Sequence, residues 1–110
     1  MEAQRYEELK AQHGRIAVVP VIDGDYEVVL RKPSPGEWQR YKAQYADPDT
    51  RINANADLTR QMIVHAEQAP GGEPVEFKEL LREYPALLDE LTKPALKHAG
   101  MSGAATAKKV

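Results

Sequence analysis

The stretch IAVVPVIDGDYEVVLR, Ile16 to Arg31, decides the fold. Two runs rich in β-branched residues meet at Asp23-Gly24, the dipeptide favoured in two-residue hairpin turns, and together they read as an antiparallel β-hairpin. With Asp23 and Gly24 as the central turn residues, Ile22 faces Asp25, Val21 faces Tyr26, Val19 faces Val28 and Ala17 faces Leu30. One face then carries Ala17, Val19, Val21, Tyr26, Val28 and Leu30 and is wholly apolar. The other sets Ile16, Val18, Pro20 and Ile22 against Glu27, Val29 and Arg31 and is half apolar. Pro20 has no amide donor and belongs on a sheet edge, and a hairpin alone is marginal in water, so helices are expected to cover the apolar face. A helix or loop of the same chain is expected over the second face, the alternative being a partner or a symmetry mate.

Upstream, Glu2 to His13 is rich in helix formers and ends at Gly14, where a left-handed helix stop is wanted. Downstream, RKPSPGEWQRYKAQY leaves the hairpin and starts a helix. Ser34 supplies the cap, Pro35 suits the first helical position, and Glu37 completes a capping box three residues after Ser34. Trp38, Tyr41 and Tyr45 follow at i, i+3 and i+7 on one stripe. The polar run ADPDTRINANAD, Ala46 to Asp57, reads as a loop. Asp57 is expected to cap a helix running to about Gln68 with Leu58, Met62 and Ala66 on one face, and APGGEP, Ala69 to Pro74, ends it. VEFKELLREY and PALLDEL read as two helices meeting at Tyr84-Pro85, with Leu80, Leu81, Leu87, Leu88 and Leu91 directed at the hairpin. Pro94 either kinks or restarts the last helix, and His98, Gly100 and Met101 mark its stop. The small-residue stretch 101–110 is expected to be disordered. The fold class is therefore α+β: one domain over 1–100, in which an antiparallel hairpin packs against about four helices.

The 110 residues suit one domain with a modest core, and the 42% hydrophobic and 29% charged content is that of a soluble globular protein. A net charge of -2 gives no global pull toward nucleic acid or anionic lipid. Cysteine is absent, which excludes disulfides and thiol chemistry and fits a reducing compartment. The acidic start MEAQRYEELK is unlike an export signal, and no apolar run approaches the roughly 20 residues of a membrane helix. A cytoplasmic protein without membrane contact is expected.

Candidate chemistry is sparse. His13, His65 and His98 lie on separate elements, and on a helix His65 and Glu67 would point apart, so no metal is expected. The oxygen-rich run from Asp47 to Asp57 is interrupted by Arg51 and lacks the glycine and closing acid of a calcium loop. Ser34 and Ser102 are the only serines and neither sits in a nucleophile elbow; no glycine-rich phosphate loop follows a strand, and the paired carboxylates Glu7-Glu8 and Asp89-Glu90 fall on polar helix faces. No catalytic residue, cofactor or metal is expected, and the chain reads as a non-enzyme. Arg31, Lys32, Arg40 and Lys42 around Trp38 and Tyr41 give a weak single-strand-binding signal, opposed by the acidic turn and acidic C-terminal helices.

LRKPSPGEWQRYK, a strand running into a Pro-initiated helix, and FKELLREYPALLDEL, a helix-Tyr-Pro-helix end, resemble the phage tail assembly chaperones and related small proteins of tail-gene cassettes, over roughly Val19 to Gly100. The resemblance implies a non-enzymatic role in a bacterial host's cytoplasm, holding a tail component such as the tape measure protein, or helping tail-tube subunits gather. It carries over no functional residue. A structural tail or connector component forming an oligomer, and a small inhibitor of a host protein, are the alternatives. Within the stripe, Trp38 is expected to close the hairpin's core. Tyr41 and Tyr45, with Val18, Ile22 and Val29 of the second hairpin face, are expected to form the partner or self-association surface.

Overall fold

In the computed structural model, which describes residues 1–101, the elements follow the order α1 (Ala3–His13), β1 (Ile16–Val21), β2 (Tyr26–Arg31), α2 (Pro35–Ala46), α3 (Arg51–Met62), β3 (Ile63–Gln68), α4 (Phe77–Glu83) and α5 (Leu87–His98). The class is α+β as expected, with five helices instead of about four and a third strand. Of the tail expected over 101–110, Met101 is described, its amide donating to Leu96 O at 3.0 Å, and 102–110 lie outside the described residues.

The hairpin register is the expected one: Ala17 pairs with Leu30, Val19 with Val28 and Val21 with Tyr26. The turn is left-handed over three consecutive residues, with φ of 55° at Ile22, 56° at Asp23 and 87° at Gly24. Asp23 and Gly24 tolerate this conformation, whereas a β-branched side chain such as Ile22 opposes it. The amides of Gly24 and Asp25 donate to the carbonyls of Val21 and Ile22, at 3.1 and 3.0 Å, and close the loop.

One expectation is overturned between Ala46 and Gln68. The helix expected from Asp57 begins at Arg51 and ends at Met62, and the chain then extends into β3, antiparallel to β2. The Asn- and Asp-rich stretch has weak helix propensity, but Ala54, Leu58 and Met62, four residues apart, are all buried against the core, and tertiary packing outweighs propensity. Asp57 is not a cap; it lies inside α3 and accepts from Gln44 Nε2 at 2.8 Å. Ile63-Val64 then suits a strand, and the open side of β2 accepts it. Val29 pairs with His65 and Leu30 with Ile63, leaving one residue of β3 as a bulge. The sheet order is therefore β1-β2-β3, with β2 central. APGGEP turns the chain back so that the Gln68 amide donates to Glu73 O and the Val75 amide to Ala66 O, covering part of the outer edge of β3.

The core gathers on the expected hairpin face. Val21, Val28 and Leu30 meet Leu58 and Met62 of α3, Leu80 of α4, and Leu87, Leu91 and Ala95 of α5, with Leu81 and Trp38 packed at its margin. Leu88 is buried but stands outside this cluster. Helix α5 runs unbroken through Pro94. Helix α1, stopped at Gly14 as expected, reaches the second sheet face, where its Arg5 meets Glu67. None of the α1 residues is itself buried.

Candidate partner-binding groove

The start of α2 is fixed as the sequence required. The Ser34 hydroxyl accepts from the Glu37 amide at 3.1 Å, and Glu37 Oε1 accepts from the Ser34 amide at 2.8 Å. Arg31, the last residue of β2, grips the same carboxylate with both terminal nitrogens at 2.8 Å. That guanidinium, together with the cap amide, holds the Glu37 carboxyl at about 2, well below the usual carboxylate range. The strand end is thereby clamped to the helix start, and the direction of the aromatic stripe is set.

Trp38 and Tyr41 are 5.0 Å apart between ring centroids, and Tyr41 and Tyr45 are 5.9 Å apart. The stripe is graded from core to solvent. Trp38 is half-buried against the core, Tyr41 is 7% exposed, and Tyr45 is 48% exposed. Tyr41 donates its hydroxyl to Asn55 Oδ1 of α3 at 2.8 Å, and burial, then the neighbouring Tyr45, pushes its pKa up. Arg51 lies over the Tyr45 ring, 5.5 Å from its centroid, and donates Nε to the Tyr45 carbonyl.

Around these rings is an open groove of about 390 Å³ with a predominantly apolar lining, within the range of ligand sites. Trp38, Tyr41 and Tyr45 form one wall, Asn55 the floor partner of Tyr41, and Leu96 and Met101 at the end of α5 the other wall. Among the described residues Lys42 is the only charged one in the lining. Exposed large apolar residues among the described residues are Tyr45, Met101 and Ile52. Two of them line this groove, and the third, Ile52, follows the Arg51 that stacks on Tyr45.

The five residues expected to form one surface are not brought together. Tyr45 opens on the groove. Tyr41 lines the same groove, with the correction that it is buried: α3 closes over it and supplies the acceptor its hydroxyl needs. Val29 is also corrected, being fully buried at the centre of the sheet because β3 pairs beside it and α1 reaches over that face. Val18 is half-buried on the same face, and Ile22 stands at the hairpin tip beside Tyr84-Pro85, in a separate hollow rimmed by Asp23, Glu83 and Glu90. Sequence reading missed Lys42, Leu96 and Met101 as groove residues. Its one available signal was Ile52 and Met101, apolar side chains stranded in polar stretches.

A second polar cluster was also missed. In a strand, residues two apart share a face, so His65 and Glu67 point together and not apart; Nε2 and Oε1 are 2.9 Å apart. Arg5 of α1 donates to the same Oε1 at 3.0 Å and to Gly72 O at 3.1 Å. The Glu67 side chain is fully buried, and its Oε2 has no hydrogen-bond partner among the described residues. Burial pushes its pKa up, yet the hydrogen bonds from His65 and Arg5 and the Arg5 charge outweigh this, and the carboxyl falls below its ordinary value. The amino group of Met1 pairs with Glu27 Oε1 at 2.6 Å. These bonds fasten α1 to the sheet. Among the described residues no group of three or more His, Asp or Glu side chains is placed to hold a metal ion, and no helix is long and apolar enough to cross a membrane.

No protein-family model matches the chain, and neither does any curated protein or solved structure.

Proposed function

We propose that this chain is a non-enzymatic phage tail assembly chaperone-like protein that binds a segment of a tail component such as the tape measure protein. The reading is supported by the resemblance of LRKPSPGEWQRYK and FKELLREYPALLDEL to proteins of tail-gene cassettes. The single observation that carries the binding role is the convergence of exposed Tyr45 and Met101 on one open apolar groove, since exposed apolar patches of this kind mark interaction sites. The same reading places the protein in the cytoplasm of a bacterial host, where assembly takes place.

The test is co-expression with the tape measure protein of the same tail-gene cassette. The two should co-purify and the long partner should stay soluble. Tyr45→Glu, at an exposed position, should abolish both effects without unfolding the domain. An equally soluble tape measure protein with and without this chain would reject the reading.

One observation favours a second reading, a structural tail or connector component. Strand β1 is an edge strand that pairs only with β2 among the described residues, its outer edge interrupted at Pro20, which lacks a donor. A stable ring or filament of the purified chain at micromolar concentration would decide for it.

A further inference from the structure

We infer that the groove seats the apolar face of an acidic amphipathic helix from a partner protein. This rests on the binding role proposed above and names the chemistry of what is bound. Among the described residues the lining holds one ionic group, the Lys42 ammonium, and no carboxylate. Arg51, stacked on Tyr45, spends its donors on the backbone carbonyls of Tyr45 and Ala46. Lys93 lies one helical turn before Leu96 on α5, and Lys97 directly follows it. None of these four cations has a carboxylate within ion-pair distance among the described residues, although the chain as a whole carries a net charge of -2. Nearby in sequence, Asp47 and Asp49 belong to the turn after α2, where Asp47 Oδ1 caps the Asp49 amide, and Asp89 and Glu90 lie in the first turn of α5, four and three residues before Lys93.

Shape agrees with charge. The groove runs between two helices, α2 and the end of α5, with aromatic rings on one wall and the flexible Leu96 and Met101 on the other. Grooves of this form take helices that present apolar anchors at i, i+3 or i+4, and i+7, and methionine adapts to varied anchor shapes. Carboxylates on the flanks of such a helix would meet Lys42 at the groove, with Lys93 and Lys97 next to the lining residue Leu96 in sequence. The buried Tyr41, bonded to Asn55, keeps the aromatic wall rigid.

Trp38 is the only tryptophan in the chain and lines the groove, so its emission reports occupancy directly. The experiment titrates the full chain with two designed amphipathic helices of identical leucine face, one flanked by glutamates and one by lysines. The glutamate peptide should shift Trp38 emission and bind more tightly by about three- to fivefold for each rim cation engaged. Lys42→Glu, at an exposed position with no ion-pair partner among the described residues, should retain the native circular dichroism and reduce that preference by about three- to fivefold.

Equal binding of the two peptides, or preference for the lysine peptide, overturns the inference. So does a shift in Trp38 emission on adding oligothymidylate but not the peptides, which would make the groove a single-strand site. A shift on dilution of the chain alone would name a second copy as the occupant, and one on deletion of residues 102–110 the chain's own end. If neither peptide binds while Tyr45→Glu still releases the tape measure protein, this inference fails and the proposed function stands. If the glutamate peptide binds and the tape measure protein does not, the reverse holds.

Discussion

Arg5 of helix α1 and Glu67 of strand β3, 62 positions apart in the chain, meet at 3.0 Å over a carboxylate that is fully removed from water. The pair defines how the second face of the sheet is closed. With no buried residue of its own, α1 is held largely by polar anchors, and its contribution to stability depends on charge.

Acid should therefore loosen the fold in a defined window. Glu67 and Glu37 both have folded pKa values depressed below 4.5, Glu37 to about 2. A depressed carboxylate contributes stability that is complete above its unfolded value and is lost as pH falls through its folded value. The melting temperature should thus be flat between about pH 5 and 7 and fall between about 4.5 and 2. Glu37→Gln should flatten that slope and cost about 1 to 2 kcal/mol at neutral pH, once solvent screening of the Arg31 pair is allowed for. An unchanged pH profile in Glu37→Gln would show that the Arg31 clamp contributes nothing.

The aromatic stripe should separate by position. Tyr41→Ala removes a buried ring and should cost about 3 to 5 kcal/mol, while Tyr41→Phe loses only the bond to Asn55, about 0.5 to 1.5 kcal/mol. Tyr45→Ala should stay within about 0.5 kcal/mol of the parent, as exposed sites do. Chemical denaturation of the three variants checks the order; equal losses for Tyr41→Ala and Tyr45→Ala would contradict it.

In the leucine-rich C-terminal part, Leu91 is fully buried in the central cluster and Leu88 lies outside it at 7% exposure. Leu91→Ala should cost about 3 to 5 kcal/mol and Leu88→Ala less, nearer 2 kcal/mol. The denaturant midpoints of the two variants measure the difference, and a larger loss at Leu88 would displace the centre of the core.

The hairpin turn offers a strain measurement without a packing change. Gly24 has φ of 87° and an added Cβ would meet nothing within 4 Å, so Gly24→Ala should cost about 1 to 2 kcal/mol from backbone conformation alone. Thermal unfolding checks this, and a neutral result would mean that the turn relaxes.

Local chemistry was enough for the hairpin, its register and the helix that follows. Turn residues at Asp23-Gly24, period-two alternation and the Ser34-Glu37 box each act over a few residues, and so does the glycine that stops α1 at Gly14. The leucines of α4 and α5 were legible for the same reason, because helical spacing alone puts Leu80, Leu87 and Leu91 on an apolar face. What local chemistry could not supply was anything set by pairing across the chain. Met62 and Ala66 keep a helical spacing, yet the chain changes from helix to strand between Met62 and Ile63, because β2 has an open side whose hydrogen bonds need a partner. That one change brings His65 and Glu67 onto a common face, gives Arg5 its acceptor and buries Val29. The early start of α3 likewise follows from burial of Ala54 and Leu58 against α5 and the sheet, and it is α3 that closes over Tyr41 and leaves Tyr45 facing the groove. Sequence fixes which side chains are apolar and which turns are tight; the free energy that decides between core and surface for the same tyrosine comes from which distant element lies over it.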